Sequence, residues 1–102
     1  TKEDLISLSD QDFLAVFSGV PQANINKEDI TNGISIVDAL VLMSGFLKSN
    51  GEARRELKAN SISVNKEKVN DQFSLSESDL INQKYILLGK GKKTNFILRL
   101  EA

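Results

Sequence analysis

A chain of 102 residues, 40% hydrophobic and 26% charged, supports one globular module with a modest core. It has no Cys and no His, which excludes a disulfide scaffold, a thiolate metal site and any catalytic triad or thiol nucleophile. The net charge of −1 hides a division: residues 1–47 hold two lysines against seven acids (−5), and residues 48–102 hold eleven Lys and Arg against seven acids (+4), so a polyanion contact is expected in the second half.

Ser9 precedes Asp10, Asp12 and the apolar series Phe13, Leu14, Val16, Phe17, with Gly19 behind. That pattern predicts an N-capped helix with a glycine stop. Val20 to Asn26 reads as extended around Pro21, and Asn26 caps a short helical turn through Lys27-Glu28-Asp29. Ser35 with Asp38 three residues on resembles a capping box. It opens an almost wholly apolar helix from Ile36 to Ser44, expected to be buried all round and to end at Gly45. A helix over Gly51–Ala59 follows, with Asn60 as its left-handed C-cap. Ile62 and Val64 alternate with polar residues, as do Lys68-Val69, which predicts a hairpin turning at Asn65-Lys66. Phe73 and Leu75 mark a short strand. Lys84 to Leu88 and Asn95 to Leu100 read as two longer strands joined by a loop over Gly89–Lys93. The expected class is α+β, with N-terminal helices followed by a small, mostly antiparallel sheet.

Residues 48–69 carry the most information. On a helical wheel of about 100° per residue, Ala53 and Leu57 share one side, Glu52 and Glu56 a second, and Arg54, Arg55 and Lys58 a third. Clustering Arg54 with Lys58 at i,i+4 costs about 0.2–0.5 kcal/mol of helix stability, a cost that a Glu–Lys pair would avoid. The sorting therefore points to a negatively charged ligand; a solvated amphipathic helix is the alternative. Guanidinium groups bond phosphate bidentately, and an RNA stem is recognised through backbone and shape. Asn50 and Gly51 open the helix, where free N–H groups can meet a phosphate, with plain capping the other reading of Asn50. Lys66 and Lys68 flank the hairpin turn, as phosphate contacts or as a solvated turn.

The same segment, helix, Glu-Ala-Arg-Arg, turn, Ile-Ser-Val-Asn and Glu-Lys-Val, resembles the αL RNA-binding motif of S-four-type domains. Phe17-Ser18-Gly19-Val20-Pro21 is similar to the segment that begins the C-terminal region of bacterial tyrosyl-tRNA synthetases. Ile36-Val37-Asp38-Ala39-Leu40-Val41 resembles their "PLVDLLV" helix, and Lys84-Tyr85-Ile86-Leu87-Leu88 with Gly91-Lys92-Lys93 resembles their ending. The likeness runs from about Phe13 to Leu98. Some positions depart from the pattern. Gly51 replaces a serine, Asn60-Ser61 a Gly-Gly pair, Asn65-Lys66 an Asn-Gly turn, and Gly89-Lys90 an Arg-Arg pair. Asn tolerates left-handed backbone, so the turns are expected to survive.

The resemblance implies an N-terminal helix and connecting segment (residues 1–34) packed on an S-four-type domain (35–102). It implies RNA contacts at Asn50, Gly51, Arg54, Arg55, Lys58, Lys66, Lys68, Lys90, Lys92 and Lys93. The expected RNA is tyrosine tRNA, held by its long variable arm and anticodon side, with neither DNA nor membrane as a partner. Tyrosine activation in that family uses ATP in a separate domain whose signature needs histidines. No cofactor, metal or catalytic residue is therefore expected in this chain, and the parent is expected to be a cytoplasmic homodimeric tyrosine–tRNA ligase. The fragment, expected to be a monomer, reads as excised from something longer, since Thr1 falls inside a charged phrase without an initiator Met or leader. Gly89 and Gly91 are spaced wrongly for a Walker A loop, so Gly89–Lys93 reads as a lysine-bearing hairpin. Tyr85 reads as core. Asp10, Asp12, Glu28 and Asp29 sit at helix starts, where the dipole favours acids. Two rival readings remain. One is an S-four-type domain of another RNA-binding protein, such as a pseudouridine synthase or a ribosome-associated factor. The other is a protein-interaction module adding strands at Ile62, Val64 or Ile97 edges.

Overall fold

The computed structural model describes residues 7–91 and 94–101. Ser9, in extended conformation, accepts the Asp12 N–H at 3.1 Å and opens α1 (Asp10–Val16), and Gly19 at φ 85° turns the chain away. The stretch around Pro21 becomes β1 (Gln22–Ile25). Asn26 Oδ1 accepts the Asp29 N–H at 2.9 Å and starts α2 (Lys27–Asn32), which β2 (Ile34–Ser35) follows. Ser35 Oγ accepts the Asp38 N–H at 3.2 Å and starts α3 (Ile36–Asp38).

The apolar helix departs from expectation in two ways. Beyond Asp38 it loosens into a π-helical turn, Ala39–Met43. There the Ser44 hydroxyl sits 2.7 Å from the Ala39 carbonyl and 3.0 Å from that of Leu40, competing with the backbone ladder. It is also not buried all round. Ile36, Ala39 and Leu40 face the core, whereas Leu42 is 74% exposed. Gly45 (φ 68°) ends the turn as expected.

α4 (Asn50–Lys58) leads into β3 (Ile62–Val64) and β4 (Glu67–Lys68), then β5 (Ser74–Leu75), a 3₁₀ turn over Glu77–Asp79, β6 (Tyr85–Lys90) and β7 (Thr94–Leu100). Five strands form one sheet in the order β1-β7-β6-β3-β4, antiparallel at every pairing except β1 with β7. β2 and β5 make a separate antiparallel ribbon. The α+β class and the mostly antiparallel sheet are as expected. Less expected is β1, which precedes most of the helices yet completes the far edge of the sheet.

Alternation along β6 divides the core. Ile86 and Leu88 join Ile62, Val64 and Leu98 on one face, under Ala53 and Leu57 of α4 and Leu40. Tyr85 and Leu87 join Ile97 on the other, under Phe13 of α1 and Phe17, its C-cap. Phe13 stacks on the buried Tyr85 ring, with centroids 4.7 Å apart at 12°. A strand covered on both faces reads as a continuous apolar run, as Tyr85–Leu88 does.

Two expectations are corrected here. The loop expected at Gly89–Lys93 is shorter, because β6 continues through Gly89 and Lys90. Gly89 is a strand residue lacking a side chain for reasons of space, since a Cβ there would lie 2.6 Å from Ser63 Oγ. Ile62, Val64 and Ile97 do not lie on edges: β3 sits between β6 and β4, and β7 between β1 and β6. Strand addition at those residues has no free backbone to use.

Candidate nucleic-acid interface

Ser49, not Asn50, caps α4: its side chain accepts the Glu52 N–H at 3.1 Å, and Glu52 Oε1 accepts the Lys48 N–H at 2.9 Å. Asn50 and Gly51 are thus the first helical residues, and both are exposed. At the other end Asn60 takes φ 59° as expected. Its N–H donates to the Leu57 carbonyl and the Ser61 N–H to that of Glu56, each at 3.1 Å, which is the Schellman pattern. This tight exit feeds the chain directly into β3 and fixes the roll of the helix against the sheet.

That roll sorts the three sectors. Ala53 and Leu57 are buried, Glu52 and Glu56 half-buried, and Arg54, Arg55 and Lys58 exposed. Glu56 is occupied, accepting from the Ser61 hydroxyl at 2.7 Å and standing 3.9 Å from Lys90 Nζ. Among the described residues, the side chains of Arg54, Arg55 and Lys58 have no hydrogen-bond or ion-pair partner. The helix dipole favours Arg55 and Lys58 in the last turn; Arg54 has no such structural role.

The remaining cations fall in different places. Lys90 pairs in register with Ile62, so it lies on the α4 face, beside Glu56. Asn65 (φ 52°) and Lys66 (φ 72°) form the two-residue turn between β3 and β4, both left-handed as a type I′ turn requires. Lys68 pairs with Ser63, whose neighbours Ile62 and Val64 point into the core. Ser63 and Lys68 therefore point to the sheet face opposite α4. Lys92 and Lys93 lie outside the described residues. Sequence reasoning passed over Ser63 and Asn95, which line a surface depression of about 290 Å³ with Lys66, Lys68 and Gly91. Alternation marks Ser63 as pointing away from Ile62 and Val64, but only the strand register brings Asn95 near it, across Gly89.

Fold and surface define the class: a small α+β module in which one helix face packs on a sheet while its cationic sector is presented outward. A family model described as "Tyrosine--tRNA ligase SYY-like C-terminal domain" matches residues 12–98. Proteins named Tyrosine--tRNA ligase are similar along nearly the whole chain. The one from Flavobacterium psychrophilum is 55% identical over 101 residues, 99% of this chain and 23% of the relative. That from Flavobacterium johnsoniae is 54% identical over 97% of this chain and 23% of the relative, and that from Porphyromonas gingivalis 40% over 99% and 24%. The chain belongs to the C-terminal domain family of tyrosine–tRNA ligases. It spans just under a quarter of the length of these relatives. No helix among the described residues is long and apolar enough to cross a membrane.

Proposed function

We propose that this chain is the part of a tyrosine–tRNA ligase that holds tyrosine tRNA, by an S-four-type αL surface, while ATP-dependent aminoacylation proceeds elsewhere in the parent protein. The observation that carries this reading is α4, which buries Ala53 and Leu57 and leaves Arg54, Arg55 and Lys58 exposed, with no acidic partner among the described residues. These three exposed cations on one helix meet the phosphates of an RNA stem, with the N–H groups of Asn50 and Gly51 at the helix start. Lys66 and Lys68 at the β3–β4 hairpin, Lys90 on the α4 face, and Lys92 and Lys93 are further contacts, and the long variable arm and anticodon side of the tRNA are what these cations reach. Residues 35–102 carry the RNA contacts and residues 1–34 brace them. The chain itself is monomeric and binds no ATP, tyrosine or metal; the parent is a cytoplasmic homodimer. A tethered module of this kind raises the local concentration of tRNA at the enzyme.

Isothermal titration with tyrosine tRNA, arm intact or shortened, tests the reading. Losing a cluster of two or three charge-assisted contacts costs on the order of 1–3 kcal/mol, roughly ten- to a hundredfold in affinity. In parallel, Arg54→Ala, Arg55→Ala and Lys58→Ala each shallow the log–log salt slope by about 0.7–0.9 without unfolding the chain. Equal affinity for the two RNAs, with an unchanged slope in all three variants, would sink the proposal.

A further inference from the structure

Four polar side chains converge at the β3–β4 end of the sheet, on the face away from α4. Ser63, Lys66, Lys68 and Asn95 line one open depression with Gly91, and Gly89 lies in the strand between Ser63 and Asn95. A Cβ at Gly89 would lie 2.6 Å from Ser63 Oγ and 3.4 Å from Asn95 Oδ1, so the missing side chain is what lets both groups sit over the strand. None of these four side chains has a hydrogen-bond or ion-pair partner among the described residues. Among the described residues, no carboxylate lines the depression. Three others each include at least one: Glu77 beside Lys27 and Gln83, Glu28 beside Thr31, and Glu67 with Asp79 beside Val69. Lys68, on the edge strand, borders this last depression as well.

A second, independent observation concerns Lys66. It holds φ 72° at the second central position of a type I′ turn, where glycine is the unstrained choice. A long-chain cation in left-handed backbone is an outlier of the kind that marks functional sites. Its effect is to hold Lys66 where it lines the depression.

We infer that Ser63, Lys66, Lys68 and Asn95 form a binding site for one RNA backbone phosphate, on the opposite side of the sheet from the cationic sector of α4. This rests on the RNA-binding reading above and adds to it a second face. Lys66 and Lys68 neutralise the phosphate charge, and the Ser63 hydroxyl and the Asn95 amide donate hydrogen bonds to its oxygens. An RNA touching both sites wraps the β3–β4 edge rather than lying flat on the helix.

The test is titration of the 102-residue chain with tyrosine tRNA at several salt concentrations, with a thermal melt of every variant. Lys66→Gly raises the melting temperature by about 4 °C or more, because it removes left-handed strain. At the same time it lowers affinity about fivefold and shallows the salt slope by about 0.7–0.9. Lys68→Met shallows the slope equally. Asn95→Ala lowers affinity two- to tenfold with the slope unchanged, as loss of a neutral donor should. If Lys66→Gly and Lys68→Met keep the parent slope while Arg54→Ala does not, the depression holds no phosphate and the α4 reading stands alone. If the parent chain shows no salt-dependent binding to the tRNA, both readings fall. Inorganic phosphate at matched ionic strength leaves the melts of parent and Lys66→Gly equally unmoved; a rise in the parent alone would assign the depression to a free anion and overturn the RNA assignment.

Discussion

Asn65 shows how one residue can join distant parts of this chain. Only 3% exposed, it donates from Nδ2 to the Asp79 carbonyl at 2.6 Å and accepts the Leu87 N–H at Oδ1 at 2.9 Å. Its own N–H donates to the Leu87 carbonyl at 2.7 Å. The hairpin turn is thereby tied to the centre of β6 and to the 3₁₀ turn. Asn65→Ala leaves one buried and one part-buried backbone group unpaired and puts a Cβ-bearing residue without local compensation at φ 52°. We expect a loss of roughly 3 kcal/mol in a urea melt. Asn65→Gly removes the strain but not the unpaired groups, so it should be milder by about 1 kcal/mol. Equal losses would show that backbone conformation contributes nothing there. The turn itself was legible, since Asn before a second turn residue between alternating apolar runs is a hairpin signal. The burial of Asn65 was not, because its amide partners lie 14 and 22 residues downstream.

At the scale of elements, α4 and α3 mark where periodicity can be trusted. The wheel of α4 separates three chemistries in the seven residues Glu52 to Lys58, and each sector has the expected exposure. The π-helical turn that continues α3 offers no polar residue between Asp38 and Ser44 to mark its outer side. The inference of complete burial therefore had nothing to oppose it, and it failed at Leu42. Packing geometry leaves one strip of that helix in water, and an apolar sequence cannot say which. The two helices accordingly respond differently to substitution. Leu57→Ala, at a position 4% exposed, is expected to cost about 2–5 kcal/mol. Leu42→Ser should stay within about 0.5 kcal/mol of the parent. Thermal melts of the two variants compare them directly, and a large loss at Leu42 would mean that this strip is covered in solution.

For the whole molecule, the decisive feature is a central strand that needs cover on both sides. On the α4 face, helices and strands from the middle of the chain supply that cover. On the other face it comes from Phe13 of α1 and Phe17, its C-cap, while β1 closes the sheet by pairing in parallel with β7. The sheet class was readable from alternation and turn residues in the second half. The parallel edge strand was not, because Gln22–Ile25 is four residues of mixed polarity whose partner lies more than seventy residues away. Consider, then, a chain reduced to residues 35–102. Tyr85, Leu87 and Ile97, each 2% exposed or less, would lose α1, and the backbone of β7 would lose its partner. Exposing three large apolar side chains costs roughly 5–9 kcal/mol, and nothing left in the fragment offsets that loss. A domain of this size has about 5–15 kcal/mol of stability to lose. The shortened chain is therefore expected to melt without a cooperative transition, or far below the parent, and to self-associate through the bare face and the open β7 edge. Circular dichroism melts with size-exclusion chromatography of the two chains decide the matter. A monomeric fragment melting cooperatively at the parent temperature would show that the α4 face alone holds the sheet, and that α1 and β1 are dispensable for the fold.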